Sequence, residues 1–195
     1  MASSRTVWHK HGVDGAGQQR GRRERRAPRP LDEERLRELA LHYVGRFATT
    51  RAKLTTYLQR KLRERGWDGE RPADVEALVS RIGELGYVDD RAFALAKAGA
   101  LTSRGMGGRR VRQALHQAGV DEGDAEDGLT LAAARAAESA LQFARRRRIG
   151  PFALARPDPA GREKSLAAMV RAGHDFAMSR RIVDASPGED VTFDE

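Results

Sequence analysis

A chain of 195 residues that is 39% hydrophobic, 33% charged and only 6% aromatic carries apolar surface for small cores, not for a large enzyme. Without cysteine it can form no disulfide, thiolate metal site or thiol nucleophile, and no apolar run approaches the roughly 18 residues of a membrane span. The net charge of +8 is uneven: residues 1–30 hold eight basic groups against Asp14 and Glu24, so the other 165 residues carry only +2.

Residues 1–30 are nearly devoid of apolar side chains, contain scattered glycine and end in Arg26-Ala27-Pro28-Arg29-Pro30. Such a stretch cannot bury enough surface to offset chain entropy and reads as a disordered, Arg-rich tail. It is either a loose holder of anionic nucleic acid or a solubilising leader. No apolar segment of the secretory kind follows the basic N-terminus, so a cytosolic protein is expected.

Order begins at Leu31, with Asp32 as a helix N-cap and Leu31 spaced from Leu36 as a hydrophobic staple. Leu36, Leu39, Ala40, Tyr43, Val44 and Phe47 then recur on one helical face. A second helix spans about Thr50 to Arg65, with Leu54, Tyr57, Leu58 and Leu62 inward and Gly66 as its stop. A third opens at Pro72, runs through Val75, Leu78, Val79, Ile82 and Leu85, and closes at Gly86. Residues 31–86 thus form a first three-helix unit.

The plan recurs. Asp89 or Asp90 caps a helix whose apolar face is Phe93, Ala96, Ala100 and Leu101, broken by Gly105, Gly107 and Gly108. A basic helix follows with Val111, Ala114, Leu115 and Ala118 on one face, ending at Gly119, and an acidic helix start over 121–127 completes a unit at 87–130. A divergent third unit, 131–186, has a helix from Ala133 to Arg147 through Ala137, Leu141 and Ala144. A loop with Pro151, Pro157 and Pro159 follows, then Leu166, Met169 and Val170 before Gly173, and a short helix with Phe176, Ile182 and Val183. Residues 187–195 read as an acidic, frayed tail. Gly66, Gly119 and Gly173 each close a middle helix about 53 residues apart, the period of an all-α, elongated and curved array of three tandem three-helix repeats.

Catalytic and metal chemistry finds no footing. His9 and His11 lie in the tail, and His42, His116 and His174 share no metal-ligand spacing on one helix. Gly105-Met106-Gly107-Gly108 lacks the Lys-Ser/Thr of a phosphate loop and follows no strand, and the Asp89-Asp90 pair sits where a cap is needed. Neither enzyme activity nor a cofactor is expected.

Basic helix faces are the positive signal. Taking Leu58 as inward and advancing about 100° per residue puts Lys53, Arg60 and Arg63 on one outward stripe, with Lys61 flanking the core. The next middle helix carries Arg109, Arg110 and Arg112, and the third carries Arg162, Lys164 and Arg171; Arg145, Arg146, Arg147 and Arg148 form a run at another helix end. Segments 67–86 and 121–127 each hold five carboxylates. Each run on its own reads as a solvated face; the set reads as a two-signed surface for an elongated polyanion or an acidic protein groove. Aromatics are too few for stacking platforms, and Trp67 and Tyr87 are expected to pack between helices.

Thr50-Arg51-Ala52-Lys53-Leu54, leading to Leu62-Arg63-Glu64-Arg65-Gly66-Trp67, resembles the first repeat of RecX proteins. So does Leu85-Gly86-Tyr87-Val88-Asp89-Asp90-Arg91-Ala92-Phe93-Ala94, and the spacing of Val111, Leu115, Gly119 and Val120 continues the likeness. The resemblance is close over 31–130 and loose over 131–186; the Arg-rich leader and the Pro-containing insertion at 151–159 depart from it. It implies binding along the groove of the RecA–single-stranded DNA filament, with single- or double-stranded DNA as a further partner, and restraint of recombinase, ATPase and co-protease activities. The competing readings are a non-specific DNA-binding or helix-turn-helix protein and a protein-interaction scaffold. No dimerisation heptad is evident, and a monomer is expected.

Overall fold

The computed structural model describes residues 29–193, and the expectation of a disordered tail falls, up to residue 28, outside them. The described residues form helices α1 (Glu33–Val44), α2 (Arg51–Arg65), α3 (Val75–Glu84), α4 (Asp90–Thr102), α5 (Gly108–Gln117), α6 (Glu122–Ala134), α7 (Ala136–Arg147), α8 (Pro159–Arg171) and α9 (Phe176–Asp184), with a 3-10 turn at Gly150–Phe152. No described helix is long and apolar enough to cross a membrane.

Three separate cores lie along the chain, one for each group of three helices. Side-chain chemistry sets the helix starts: Asp32, Thr50, Asp74, Asp89, Asp121, Asp158 and Asp175 each accept a first-turn amide, as in Asp32 Oδ1 with Arg35 N at 2.8 Å. α3 therefore opens after Asp74 rather than at Pro72, which stays in the preceding loop. Leu31 and Leu36 are both buried, and Leu31 exchanges backbone hydrogen bonds with Gly66 and Asp68 across the end of α2.

Other expectations need correction. Phe47 and Leu85, read as inward, are 53% and 55% exposed, and Phe176 of the last helix is 52% exposed. Phe47 lies beyond the end of α1, and Leu85 is the C-cap of α3, so neither continues the helical face it was assigned to. Phe176 is the first residue of α9, where only Ser179, Ile182 and Val183 are buried. Tyr87 is 58% exposed instead of packed between helices. Trp67 does pack on the first core, and its Nε1 donates to Arg71 O at 2.6 Å.

On α4 the buried face is Asp90, Ala94, Ala98 and Thr102, while Ala96 and Ala100 face solvent. The cause is close approach of α6: Gly128 sits against the Ala94 carbonyl, where a Cβ would come within 2.9 Å. Only small residues permit that spacing, so alanine and glycine form its centre, while Phe93 and Leu101 pack, partly buried, at its edge. α6 itself runs past residue 130 to Ala134. The acidic C-terminal segment is docked as far as residue 193, not frayed: Val191 is buried, Phe193 packs on the third core, and Gly188 N donates to Pro151 O at 2.9 Å. Of the three loop prolines, Pro159 belongs to the first turn of α8.

Candidate interaction surface

The middle helices of the three units meet end to end, in the order α8, α5, α2. At the first joint, Gly107 N donates to Ala172 O (3.0 Å) and Arg109 N to Gly173 O (3.1 Å), so the last carbonyls of α8 satisfy amides at the start of α5. Gly107 has no side chain with which to cap α5, and the neighbouring unit's carbonyls take that role. At the second joint, Thr50 Oγ1 donates to Ala118 O, the C-cap of α5, at 2.5 Å, and accepts from Lys53 N at 3.2 Å. Carbonyl ends thus face amide ends throughout, the favourable alignment of helix dipoles.

The recurring glycines explain the fit. Gly119 has φ +71°, and a Cβ there would collide with the Ala52 side chain; Gly173 has φ +95°, and a Cβ there would lie 2.5 Å from Arg110 N. Gly66, at the outer end of the column, has φ +79° and nothing within 4 Å. All three have positive φ, but Gly66 is itself the C-cap of α2 with ψ 174°, whereas Gly119 and Gly173 follow the C-caps Ala118 and Ala172, and only these two also admit a neighbouring helix.

Two buried polar groups join the units. Asp90 reaches from α4 to accept Arg51 N, the first amide of α2, at 3.0 Å. Of the Asp89-Asp90 pair, Asp89 caps its own helix and Asp90 caps the helix of the preceding unit. Burial raises the Asp90 carboxyl above its ordinary value of 3.8, opposed by that amide. His174 is 2% exposed, sits 5.5 Å from the Phe143 ring, and as neutral imidazole donates from Nε2 to Gly105 O at 3.0 Å. Burial holds it below 6.5, with the Gly105 carbonyl opposing. As pH falls from 6.5 toward that lowered value, the unfolded chain takes up a proton that the folded joint does not, so stability declines in that window and is level above it. Urea unfolding at pH 7.5 and pH 5 should show this decline in the parent, and a smaller one in His174→Gln.

The column carries the cations, and the structure sorts them. Among the described residues Lys53, Arg63, Arg109, Arg110, Arg112 and Lys164 are exposed and form no ion pair. Arg110 contacts Gln113 at 2.7 Å within its own helix, and Lys53 lies 5.1 Å from the Phe93 ring centre. Arg60 and Lys61 both pair with Glu64, at 3.7 and 2.6 Å. Arg162 is tied to Asp184 of α9 at 2.6 Å, which gives it a packing role. Of the run at the end of α7, Arg145 lies over Phe152, Arg147 lies over Phe143, and Arg146 donates to Arg104 O of the second unit. Sequence reasoning missed the end-to-end joints, which turn three separate basic helices into one track; the glycine period was the signal that could have found them.

A family model described as RecX, second three-helix domain, matches residues 89–129, from the cap of α4 into α6. The chain is 33% identical over 171 residues to Regulatory protein RecX of Myxococcus xanthus, covering 82% of this chain and 90% of that protein. Regulatory protein RecX of Thermobifida fusca is 33% identical over 154 residues, covering 76% and 77%. The crystal structure of RecX from Lactobacillus salivarius aligns with a TM-score of 0.56 at 16% identity, over 77% of this chain and 93% of that one. A second crystal structure of regulatory protein RecX aligns at 0.55 with 21% identity, over 77% and 73%; these two likenesses concern the fold.

Proposed function

The chain belongs to the RecX family of regulatory proteins, and from that premise we propose that it binds the filament of a RecA-type recombinase on single-stranded DNA and restrains its recombinase, ATPase and co-protease activities. Its setting would be DNA repair by homologous recombination and the SOS response, in the cytoplasm, with no cofactor and as a monomer. The observation that carries the reading is the column of α8, α5 and α2, which presents cations without ion pairs among the described residues at intervals along one continuous body. A polymer of identical subunits offers repeated sites to such a body. Weak contacts at successive units then combine through effective concentration, so a filament is bound far more tightly than a free subunit.

The test is recombinase ATP hydrolysis driven by single-stranded DNA, measured with this protein well below one molecule per recombinase. Inhibition at that ratio supports filament bridging. No inhibition, together with tight binding to duplex DNA by the protein alone, would replace the proposal with a plain DNA-binding role.

A further inference from the structure

At the junction of the first two units lies an open cleft of about 580 Å³, within the size range of small-molecule sites. Its walls include Phe47, Tyr87 and Phe93, and its floor includes Ala96 on the outer face of α4. Phe47 and Tyr87 are 53% and 58% exposed, although both are large apolar rings set in one cleft. Neither is needed to fill a core: Phe47 lies beyond α1, and Tyr87 follows the glycine that ends α3.

The charges around these rings are mostly positive. Lys97 lines the cleft, Arg46 lies 5.9 Å from the Phe47 ring centre, and Lys53 lies 5.1 Å from that of Phe93. Asp89 also lines it, with one carboxylate oxygen already accepting Ala92 N at 2.8 Å. Lys53 belongs to the outward stripe of α2, so the cleft opens directly beside the cationic column. Thr49, another lining residue, is 7% exposed, and its Oγ1 is the buried side-chain polar atom left without a hydrogen-bond partner among the described residues. That atom is enclosed by the protein, so recognition in the cleft falls to the exposed rings and the cations around them.

We propose that this cleft is a base-binding site for single-stranded nucleic acid: a base stacks on Phe47 and Tyr87 while its flanking phosphates are held by Lys97, Arg46 and Lys53. The chain's few aromatics exclude an extended stacking platform, but a single base needs only these two exposed rings, and aromatic faces beside cations serve any single strand, because every base has a π-face and every linkage a charge. An apolar protein segment would use the rings but leave the surrounding cations without partners, which is why nucleic acid is the better match. The site goes beyond the recombinase reading and is tested without a recombinase, so either idea can fail alone.

The experiment compares the full chain's affinity for oligothymidylate with that for an abasic oligonucleotide of equal length, by fluorescence anisotropy. Cations elsewhere, including those of residues 1–28, contact both oligonucleotides alike, so the ratio isolates base contacts. The expected result is roughly tenfold tighter binding of oligothymidylate. That preference should disappear in Phe47→Ala/Tyr87→Ala and survive in Phe47→Tyr/Tyr87→Phe, which keeps both rings. Equal binding of the two oligonucleotides by the parent would overturn the site, as it would if the cleft receives a protein segment. A preference undiminished in the alanine variant would overturn it as well.

Discussion

Gly173→Ala is expected to destabilise the chain by about 2–4 kcal/mol, against about 1–2 kcal/mol for Gly66→Ala. Both residues have a positive φ, +95° and +79°, and both substitutions carry the cost of forcing an L side chain into a glycine backbone, which at Gly66, with ψ 174°, is the extended positive-φ region. Their surroundings differ. A Cβ at 173 would press on Arg110 N, the Arg110 side chain and Gly107 O, whereas a Cβ at 66 meets nothing within 4 Å. The excess loss at 173 therefore measures the joint between α8 and α5. Urea unfolding of the two variants reads it directly, and equal losses would mean that the joint adds nothing beyond backbone conformation. Because Ala172 O and Gly173 O also accept the opening amides of α5, a forced joint should loosen the second unit from the third before either core opens.

The same glycines show how far the sequence can be read. Their 53-residue period, the helix-ending role of each, and the apolar faces of α2, α5 and α8 are local properties, and periodicity exposes them. What the period does not reveal is which way the units face. The cap of one middle helix finds the end of another through Thr50 and Ala118, residues 68 positions apart, and no local pattern links them. The inward face of α4 is legible only in part for a related reason: Phe93 and Leu101 do pack on the second core, but Ala96 and Ala100 face solvent and Ala94 and Ala98 take the buried positions. Hydropathy does not separate Ala94 and Ala98 from Ala96 and Ala100, and close approach to Gly128 is what selects the first two. Helical spacing places Phe47 on the inward face of α1 and the scarcity of aromatics points Tyr87 to interhelix packing, but their exposure depends on where α1 and α3 end. Among the cations, residue type alone could not separate the exposed Arg109 and Arg112 from Arg162, whose partner Asp184 lies 22 positions away on α9.

Reversing Arg109, Arg110 and Arg112 to Glu together should weaken filament binding at least tenfold and flatten its dependence on salt. These residues occupy the centre of the column, are exposed, and lack ion pairs among the described residues, so their charge is available to a partner. Their position also keeps the variant interpretable: carboxylates at 109 and 110 would lie in the first turn of α5 and interact favourably with its amide end, and position 112 follows on its exposed side. One nearby cost is at Asp175, whose carboxyl is held below 3.8 chiefly by backbone amides at the start of α9 and least by Arg109, and another is the loss of the Arg110–Gln113 hydrogen bond. Arg162→Glu is the contrasting variant. It sets a carboxylate against Asp184 and should lower stability, with little change in the salt dependence of binding by the folded fraction. Binding by the two variants would be measured by anisotropy of labelled recombinase filaments across a salt series, with unfolding followed in parallel. A triple variant that binds like the parent would assign the α5 cations to solvation, and the column would then have to act through its other faces.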